Sequence, residues 1–509
     1  NAAWPLVVVT LFVDDLSLEA THESEAVVRN TVAGATNQAV AHLQEALQLE
    51  VSAKKSGVIG ARPKTARAIT KIATNVKLTP WSNTKLLGTP AGGGRRRSTK
   101  VLAARLPAFK KRIPRIQALR RRGYRATMIA RAAGTPMIMY GVDTTGMANT
   151  HLLNCRRAMA KAVAPAAGGK NFDIILHTAD ANGGTLDPAF DAHLQPLQSL
   201  ALAWWQGWQN RTAMTLAVKT ARNAIINDGI VSWRKVTGPV SAAVASANRI
   251  GWTFTDGHLL TCEDGGTLNM LLDPPVVIAT AVKRAVRKWR LNRIAQALPQ
   301  LIPETPDLVI GTGTVEHIID FIEVAGKLTN HSRGGCKTFE LWQPKYKGDL
   351  RSAICGGQWS QARVARVPNW SDDSQCQLCH AHTGTLDHRL VCEAIRPPGG
   401  WQSPPQECDM ILHKLCHSRR RLMETRALLA MKIRIPEPPR RDTYRWLLHP
   451  PEDLPDGCTW FIDGSLYDEA KNFGKRTGFG IAVIGKDRTL LACGNGVPPE
   501  WVTDAAGAE

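Results

Sequence analysis

The sequence lacks the features that mark membrane proteins, secreted disulfide scaffolds and repeat arrays. No apolar run in its 509 residues reaches the length of about 18 residues that spans a bilayer, so we expect no membrane span. No signal peptide or internal repeat is visible. The eleven cysteines are odd in number and scattered apart from one cluster. This usage favours a reducing intracellular compartment with a metal site.

Acidic residues are scarce relative to basic ones. The chain has 64 Lys and Arg against 43 Asp and Glu, which gives a net charge of +21. Such an excess predicts an anionic partner, with nucleic acid as the first candidate. The basic residues form runs at 95–97, 110–112, 120–122, 283–293 and 419–421. One run is usually a solvated surface, but five in one chain favour phosphate binding.

Two adjacent carboxylates close an apolar run near the start of the chain. Residues 5–13 are rich in β-branched side chains and have the right length for a buried strand. A second apolar stretch, 16–20, follows the pair Asp14 and Asp15, which predicts a hairpin whose turn carries both acids. Carboxylates at the end of a buried strand are costly unless a cation neutralises them, and polymerases hold Mg²⁺ with such a pair. The alternative is that Asp-Asp is ordinary turn chemistry.

The next segments mix helix and strand. The spacing of apolar residues predicts a helix over 23–49, and residues 49–59 read as strand, basic turn and strand. Residues 85–94 read as a strand that ends in a glycine turn. Residues 1–97 are therefore expected to be α+β.

A mainly helical, basic region is expected over residues 98–300. Its helix near 275–298 has one apolar face, and a cationic stripe runs beside it. That stripe consists of Lys283, Arg287 and Arg290. Such a helix can dock on a core while lying along a phosphate backbone.

One cluster has the spacing of a metal site, C-x2-C-x8-H-x3-C. Its members are Cys376, Cys379, His388 and Cys392. His388 and Cys392 are four residues apart, so they share one face of the short helix that residues 384–387 would begin. These ligands suit structural, tetrahedral Zn²⁺ with no open position. His380 and His382 are alternative ligands.

A strand-rich unit follows a proline-rich linker at residues 435–456. Its first strand ends in Asp463, and two more strands are expected at 477–484 and 489–493. Thr503 then caps a short helix that ends in Glu509. An acid on the first strand and another on the first helix can hold Mg²⁺ about a phosphate.

The order of these patterns resembles the polyprotein of a non-long-terminal-repeat (LINE-like) retrotransposon. Such a polyprotein carries a reverse transcriptase, a zinc knuckle and a type-1 ribonuclease H. The resemblance implies a multidomain α+β chain with several parts, listed here in order. They are a partial reverse-transcriptase palm (1–97), a helical thumb or connection region (98–300), a connection with the knuckle (301–434), the linker (435–456) and a partial ribonuclease H α/β domain (457–509).

The resemblance assigns roles to individual residues. Asp14 and Asp15 match the Mg²⁺-binding acids of the palm, and Asp463 and Glu509 match the first two acids of ribonuclease H. Contacts with nucleic acid or nucleotide are implied for Lys55 and for the hairpin segment Lys85, Leu87 and Gly88. Implied partners are RNA, DNA, RNA–DNA hybrid and deoxynucleoside triphosphates, with no membrane. Nuclear localisation follows from the resemblance alone.

Two departures limit the expected activity. The palm needs a further aspartate on an earlier strand, and ribonuclease H needs further acids after its first helix. We therefore expect a fragment that is incomplete at both active sites. The alternatives are a non-catalytic nucleic-acid-binding remnant and a protein whose only enzymatic domain is ribonuclease H.

Overall fold

The computed structural model describes residues 3–508 except 87, 94–96, 123, 125, 165–168, 181–185, 228, 299–348, 350–351, 401–412, 414, 427–442, 468–475, 500–501 and 503–504. It is a mixed α and β structure with small sheets, as the α+β prediction requires. Within the described part of the chain, no helix is long and apolar enough to cross a membrane.

The described helices and strands have the following bounds. The helices are α1 (Glu25–Ala41), α2 (Pro63–Ile72), α3 (Lys100–Arg121), α4 (Ala126–Ile129), α5 (Thr135–Met139), α6 (Val142–Thr145), α7 (Asn149–Val163), α8 (Phe172–Ala179), α9 (Pro188–Trp205), α10 (Arg211–Ile225), α11 (Pro239–Arg249), α12 (Pro275–Ala297), α13 (Gln361–Val364), α14 (Leu386–Val391), α15 (His417–Arg426) and α16 (Ala505–Ala508). The strands are β1 (Val7–Phe12), β2 (Asp15–Ala20), β3 (Gly57–Ile59), β4 (Thr79–Trp81), β5 (Asn83–Leu86), β6 (Thr89–Gly92), β7 (Ile226–Asn227), β8 (Ile230–Val231), β9 (Thr253–Phe254), β10 (Leu259–Thr261), β11 (Thr267–Asn269), β12 (Thr443–Leu448), β13 (Thr459–Tyr467), β14 (Arg476–Ile484) and β15 (Leu490–Val497).

The chain divides into two compact units, and the predicted region 98–300 contributes to both. The first unit consists of Asn1–Lys111, Pro136–Leu153 and Asp191–Ile278. The second consists of Arg112–Thr135, Asn154–Phe190 and Ala279–Glu509.

The first unit begins with the predicted hairpin, but its strands are not buried. β1 and β2 pair antiparallel from Val7 opposite Ala20 to Phe12 opposite Asp15. Only Val7 of β1 is buried, whereas Leu11 is 70% exposed. The prediction of a buried strand was wrong because β1 pairs with β2 alone among the described strands, and no second sheet covers it there.

The segment after the hairpin follows the prediction in part. α1 lies within the predicted helix 23–49 and is continued by a π-helical turn over His42–Ala46. β3 forms as expected and pairs parallel with β4. Residues 49–53 do not form the expected strand, because the chain enters a turn in which Ser56 N–H donates to Ser52 O at 3.1 Å.

The second unit contains a buried network of charged side chains. Arg156 of α7 donates from Nε and Nη2 to both carboxylate oxygens of Asp187, each at 2.8 Å. Arg156 Nη1 also lies 2.6 Å from Asp173 Oδ1 in α8. From α12, Arg290 Nη1 lies 3.6 Å from Asp187 Oδ2, and its Nη2 lies 3.0 Å from His177 Nδ1. The network therefore joins α7, α8, α12 and the residue that precedes α9.

Burial of His177 in this network makes the stability of the fold depend on pH. Burial and then the positive charge of Arg290 lower the pKa of His177 well below 6.5, so the folded protein holds the ring neutral. In the unfolded chain His177 binds a proton below pH 6.5, whereas in the folded protein it stays neutral. The folded state therefore has its full stability above pH 6.5 and loses stability as the pH falls below that value. We expect the unfolding free energy of the protein to fall between pH 6.5 and 5 by up to about 1.4 kcal/mol per pH unit.

Urea unfolding at several pH values tests this expectation. His177→Gln should flatten the dependence, because glutamine keeps an acceptor for Arg290 but does not titrate. The exposed His449 is the matched control, and His449→Gln should leave the slope unchanged. An unchanged slope in His177→Gln would assign the pH dependence to other groups.

The last four strands of the second unit form one antiparallel sheet in the order β12-β15-β14-β13. β13, β14 and β15 form the predicted meander of three consecutive strands, but β13 continues to Tyr467 and does not end in Asp463 as predicted. β12 was missed, since it lies within the predicted linker 435–456, yet it pairs with β15. α16 packs on β13 and β14.

Candidate metal centre and nucleic-acid residues

A tight turn presents the first two cysteines of the cluster. Cys376 N–H donates to His382 O at 2.8 Å, and His380 N–H donates to Cys376 O at 2.9 Å. His380 adopts φ +53°, a left-handed conformation that reverses the chain after Cys379. The backbone therefore folds so that both sulfurs lie on one side of the turn.

A short capped helix presents the other two ligands. Thr385 precedes α14, and its Oγ1 accepts from His388 N–H at 3.0 Å, which fixes the start of the helix. His388 lies in the first turn of α14, and Cys392 follows its last residue. The helical spacing places both on the same side, as the sequence predicts.

The four ligand atoms converge. All lie within 4.8 Å of one another. Cys376 Sγ and Cys392 Sγ are 3.9 Å apart, and Cys379 Sγ is 3.2 Å from His388 Nε2. Tetrahedral Zn²⁺ with bonds of about 2.3 Å to sulfur and 2.0–2.1 Å to nitrogen requires ligand separations of roughly 3.5–3.8 Å. The cluster can therefore hold a metal ion and is compatible with structural zinc.

The electrostatics of the turn favour a thiolate at Cys376. Backbone N–H groups of Cys379 and then Leu378 point at its sulfur and lower the pKa of the Cys376 thiol to about 6. Burial raises the pKa of Cys392. These backbone N–H groups therefore orient the Cys376 sulfur and favour its thiolate form, as the outer hydrogen-bond partners of metal ligands do.

The alternative ligands do not join this group. Neither His380 nor His382 belongs to the converging set among the described residues. The His382 ring packs against His388, with centroids 5.1 Å apart, so it supports a ligand from outside. The predicted set of three cysteines and one histidine is the one that the fold brings together. With all four positions filled by protein, the centre has a structural geometry with no position for a substrate.

Asp14 and Asp15 lie at the end of the exposed β1–β2 hairpin. Asp15 pairs with Phe12, so the turn is formed by Val13 and Asp14. Val13 has φ +56°, which is unusual for a β-branched residue. Carboxylate oxygens are suitable Mg²⁺ ligands. However, within the described residues no third metal-binding side chain joins this pair, so it does not amount to a two-metal site.

The two lysines that are predicted to contact nucleic acid or nucleotide in the first unit, Lys55 and Lys85, are exposed. Lys55 lies in the turn before β3, and Lys85 lies on β5. β5 pairs with β6 from Asn83 opposite Gly92 to Leu86 opposite Thr89, and Gly88 lies between the two strands. Leu87 itself lies outside the described residues.

Gly88 occupies a position that only glycine fills without strain. Its φ is +83°, and a Cβ there would lie 2.7 Å from Tyr140 Cε1. We expect Gly88→Ala to lower the unfolding free energy of the protein by about 1–2 kcal/mol from backbone strain, with a further cost from displacing Tyr140. Gly207→Ala is the control in a urea titration, since Gly207 has φ +62° and open space around it. Equal losses in both variants would rule out a role for Tyr140.

The cationic stripe of α12 is only partly available to a ligand. Lys283 is exposed and Arg287 is half-buried. Arg290 is 2% exposed and lies 3.6 Å from Asp180 Oδ2. The prediction of a phosphate contact at Arg290 does not fit this position, because its guanidinium is buried against two carboxylates, Asp180 after α8 and Asp187 before α9.

Of the two predicted ribonuclease H acids, only Asp463 lies in the described part of the chain. Asp463 is exposed on β13, opposite Gly480 of β14. Glu509 and Thr503 lie outside the described residues, although α16 between them packs on β13. β13 is an edge strand of the described sheet, and its Phe461 and Ile462 are about half exposed.

Comparisons with known proteins identify no relative. No protein-family model, no curated protein and no solved structure matches this chain.

Proposed function

We propose that this chain is a nucleic-acid-binding segment of a reverse transcriptase–ribonuclease H polyprotein of the non-long-terminal-repeat type. The observation that carries the proposal is the convergent centre of Cys376, Cys379, His388 and Cys392 beside a basic helix. That helix, α15, carries the run 419–421, and Arg421 forms an ion pair with Asp387 of α14. The metal is Zn²⁺, since three sulfurs and one imidazole are soft ligands in tetrahedral spacing.

Three features elsewhere in the chain support the proposal. They are the hairpin at Asp14 and Asp15, the hairpin at Lys85 and Gly88, and the meander that carries Asp463. Their order along the chain is that of the polyprotein. The basic surfaces bind phosphates of RNA, DNA and RNA–DNA hybrid, and a nuclear site of action is part of the same proposal.

The function proposed for this chain is nucleic-acid binding, and catalysis would require further acids at both predicted Mg²⁺ sites. Asp14 and Asp15 would hold Mg²⁺ for RNA-directed DNA synthesis from deoxynucleoside triphosphates only with a further acid. Asp463 and Glu509 have the same requirement for cleavage of the hybrid. Within the described part of the chain no third metal-binding side chain joins Asp14 and Asp15, which favours the second candidate, a non-catalytic remnant.

Fluorescence anisotropy with a 20-base-pair RNA–DNA hybrid tests the binding. We expect the affinity to fall steeply between 50 and 200 mM salt, by about 10³-fold or more if six or more phosphates are contacted. Lys283→Gln should weaken binding for every sequence and reduce the salt slope by about one. Lys219→Gln is the control because Lys219 already pairs with Asp256 at 3.5 Å. Affinity that does not depend on salt would refute the proposal.

Primer extension and hybrid cleavage assays separate the two candidates. In a longer polyprotein, Asp14→Asn should abolish DNA synthesis and spare hybrid cleavage, and Asp463→Asn should do the reverse. Loss of both activities from either change would contradict the assignment of two sites. Stop codons directly on both sides of this segment in its transcript would establish the remnant.

A further inference from the structure

A cavity in the second unit lies next to the metal module, which we define as residues 374–392, and is lined by positively charged side chains. Its volume is about 290 Å³. Its walls include Lys170, Arg363 and Arg426, together with Leu386, the first residue of α14. None of the described residues that line it is acidic. A concave site with several cations and no carboxylate favours an anionic ligand.

Arg363 builds the frame of this cavity. Its Nη1 donates to Gly356 O at 2.6 Å and to Gln358 O at 2.8 Å, and its Nη2 donates to Gly169 O. Its guanidinium stacks on Trp359, 4.4 Å from the ring centroid. Arg363 therefore joins two distant segments of the chain and holds the loop before α13 in place.

The side chains of Arg426 and Lys170 pack against two adjacent glycines. The guanidinium of Arg426 lies against Gly356, where a Cβ would be 2.5 Å from Nη2, and the Lys170 side chain lies against Gly357. Gly356 has φ +72°, so its conformation also favours glycine. The glycine pair lets both side chains approach the same backbone turn, which brings two positive charges to one wall of the cavity.

Among the described residues, no carboxylate lines the cavity beside these two cations. Burial lowers the pKa of Lys170 and of Arg426; the Cys355 thiol opposes this in both, whereas Arg120 adds to the effect at Lys170 and Arg363 adds to it at Arg426. Arg426 donates from Nη2 to Ile354 O at 2.9 Å, whereas its buried Nε has no hydrogen-bond partner among the residues that the structure describes. A bound oxyanion would offset the repulsion between the positive charges.

We propose that this cavity binds a phosphate group, with Lys170 and Arg426 as its charged ligands. The volume exceeds that of one phosphate and is close to the lower limit for small-molecule pockets, so pyrophosphate or a phosphate with part of its nucleoside fits. The phosphate belongs either to a free phosphoanion or to the backbone of a bound nucleic acid. Only the second source rests on the proposed function. Through Leu386, the phosphate would contact the helix that carries His388.

Calorimetric titration of the zinc-loaded chain with pyrophosphate tests the cavity. We expect one pyrophosphate per chain and a loss of affinity of about tenfold or more in Lys170→Gln, because a charged hydrogen bond is removed. Lys170→Arg should retain binding. Lys161→Gln, at an exposed lysine of α7, is the matched control and should bind as the unmodified protein does. Circular dichroism of each variant verifies that it is folded.

A competition experiment distinguishes the two sources. If the ligand is a backbone phosphate, pyrophosphate displaces a 20-nucleotide RNA, and Lys170→Gln lowers the salt slope of RNA binding by about one. If the ligand is a free phosphoanion, RNA binding is unchanged in Lys170→Gln while pyrophosphate binding is lost. Both outcomes support phosphate binding in the cavity. The proposal is refuted if pyrophosphate does not bind or binds equally well to Lys170→Gln, whatever the result for RNA.

Discussion

Replacing Cys376 with serine is expected to release the metal and unfold the module around it. Serine is a poor zinc ligand, and the remaining three side chains cannot complete the tetrahedron. Structural zinc contributes about 10–16 kcal/mol of apparent binding free energy at pH 7, most of which is folding free energy of the module. We expect zinc affinity to fall by more than about 100-fold, the upper limit for loss of an outer-sphere partner.

Hydrogen exchange shows whether the loss of structure is confined to the metal module. In Cys376→Ser, protection should disappear at the backbone N–H groups of Cys376, His380 and Gly384, which are hydrogen-bonded within the module. The controls are Cys416→Ser, which lies outside the four-ligand set, and His382→Gln, which removes the neighbouring ring. Both should retain one zinc. Loss of zinc in His382→Gln, together with retention of zinc in Cys376→Ser, would show that His382 and not Cys376 is a ligand.

Asp187→Asn is expected to produce the largest loss of stability from a single substitution outside the metal centre. Asp187 is fully buried and accepts hydrogen bonds from Nε and Nη2 of Arg156. Asparagine would leave Arg156 and Arg290 buried without their shared counter-charge. Breaking a buried pair in this way costs about 3–5 kcal/mol of unfolding free energy.

A surface acid gives the matched control for Asp187. Glu393→Gln makes the same chemical change at a side chain that is 74% exposed and lies 3.2 Å from Arg396. We expect it to cost less than about 1 kcal/mol in the same urea titration. Equal losses of stability in the two variants would contradict the buried network.

Acid titration gives a second readout for Asp187. Burial alone would raise the pKa of Asp187, but Arg156 and Arg290 outweigh it and hold that pKa below its usual value of 3.8. Its stabilisation is therefore present above about pH 4 and is lost as the pH falls through the folded-state pKa. The acid limb of the stability curve should be flatter in Asp187→Asn than in the unmodified protein.

The metal centre was predictable from sequence because its geometry is local. The spacing of Cys376 and Cys379 defines a turn, and the spacing of His388 and Cys392 defines one helical face. The hairpin at Asp14 and Asp15 was predictable for the same reason. The choice between His388 and the two nearby histidines required the backbone path, which places His382 beside the ligand instead of on the metal.

Burial was less predictable because it depends on contacts between distant segments. The β-branched run of β1 indicates a strand, but nothing in that run reveals whether a second layer covers it. The cationic stripe of α12 looked uniform in sequence. Its member Arg290 is buried because Asp180 and Asp187, more than a hundred residues earlier, provide partners. β12 was missed because prolines surround its segment.

Native mass spectrometry of the chain with a 20-base-pair RNA–DNA hybrid reports the bound metal and the bound nucleic acid in one measurement. We expect one zinc ion on every folded chain and a complex of the zinc-bound chain with the hybrid that dissociates as ionic strength rises. A folded chain that carries no zinc and forms no complex with the hybrid would contradict the proposed function.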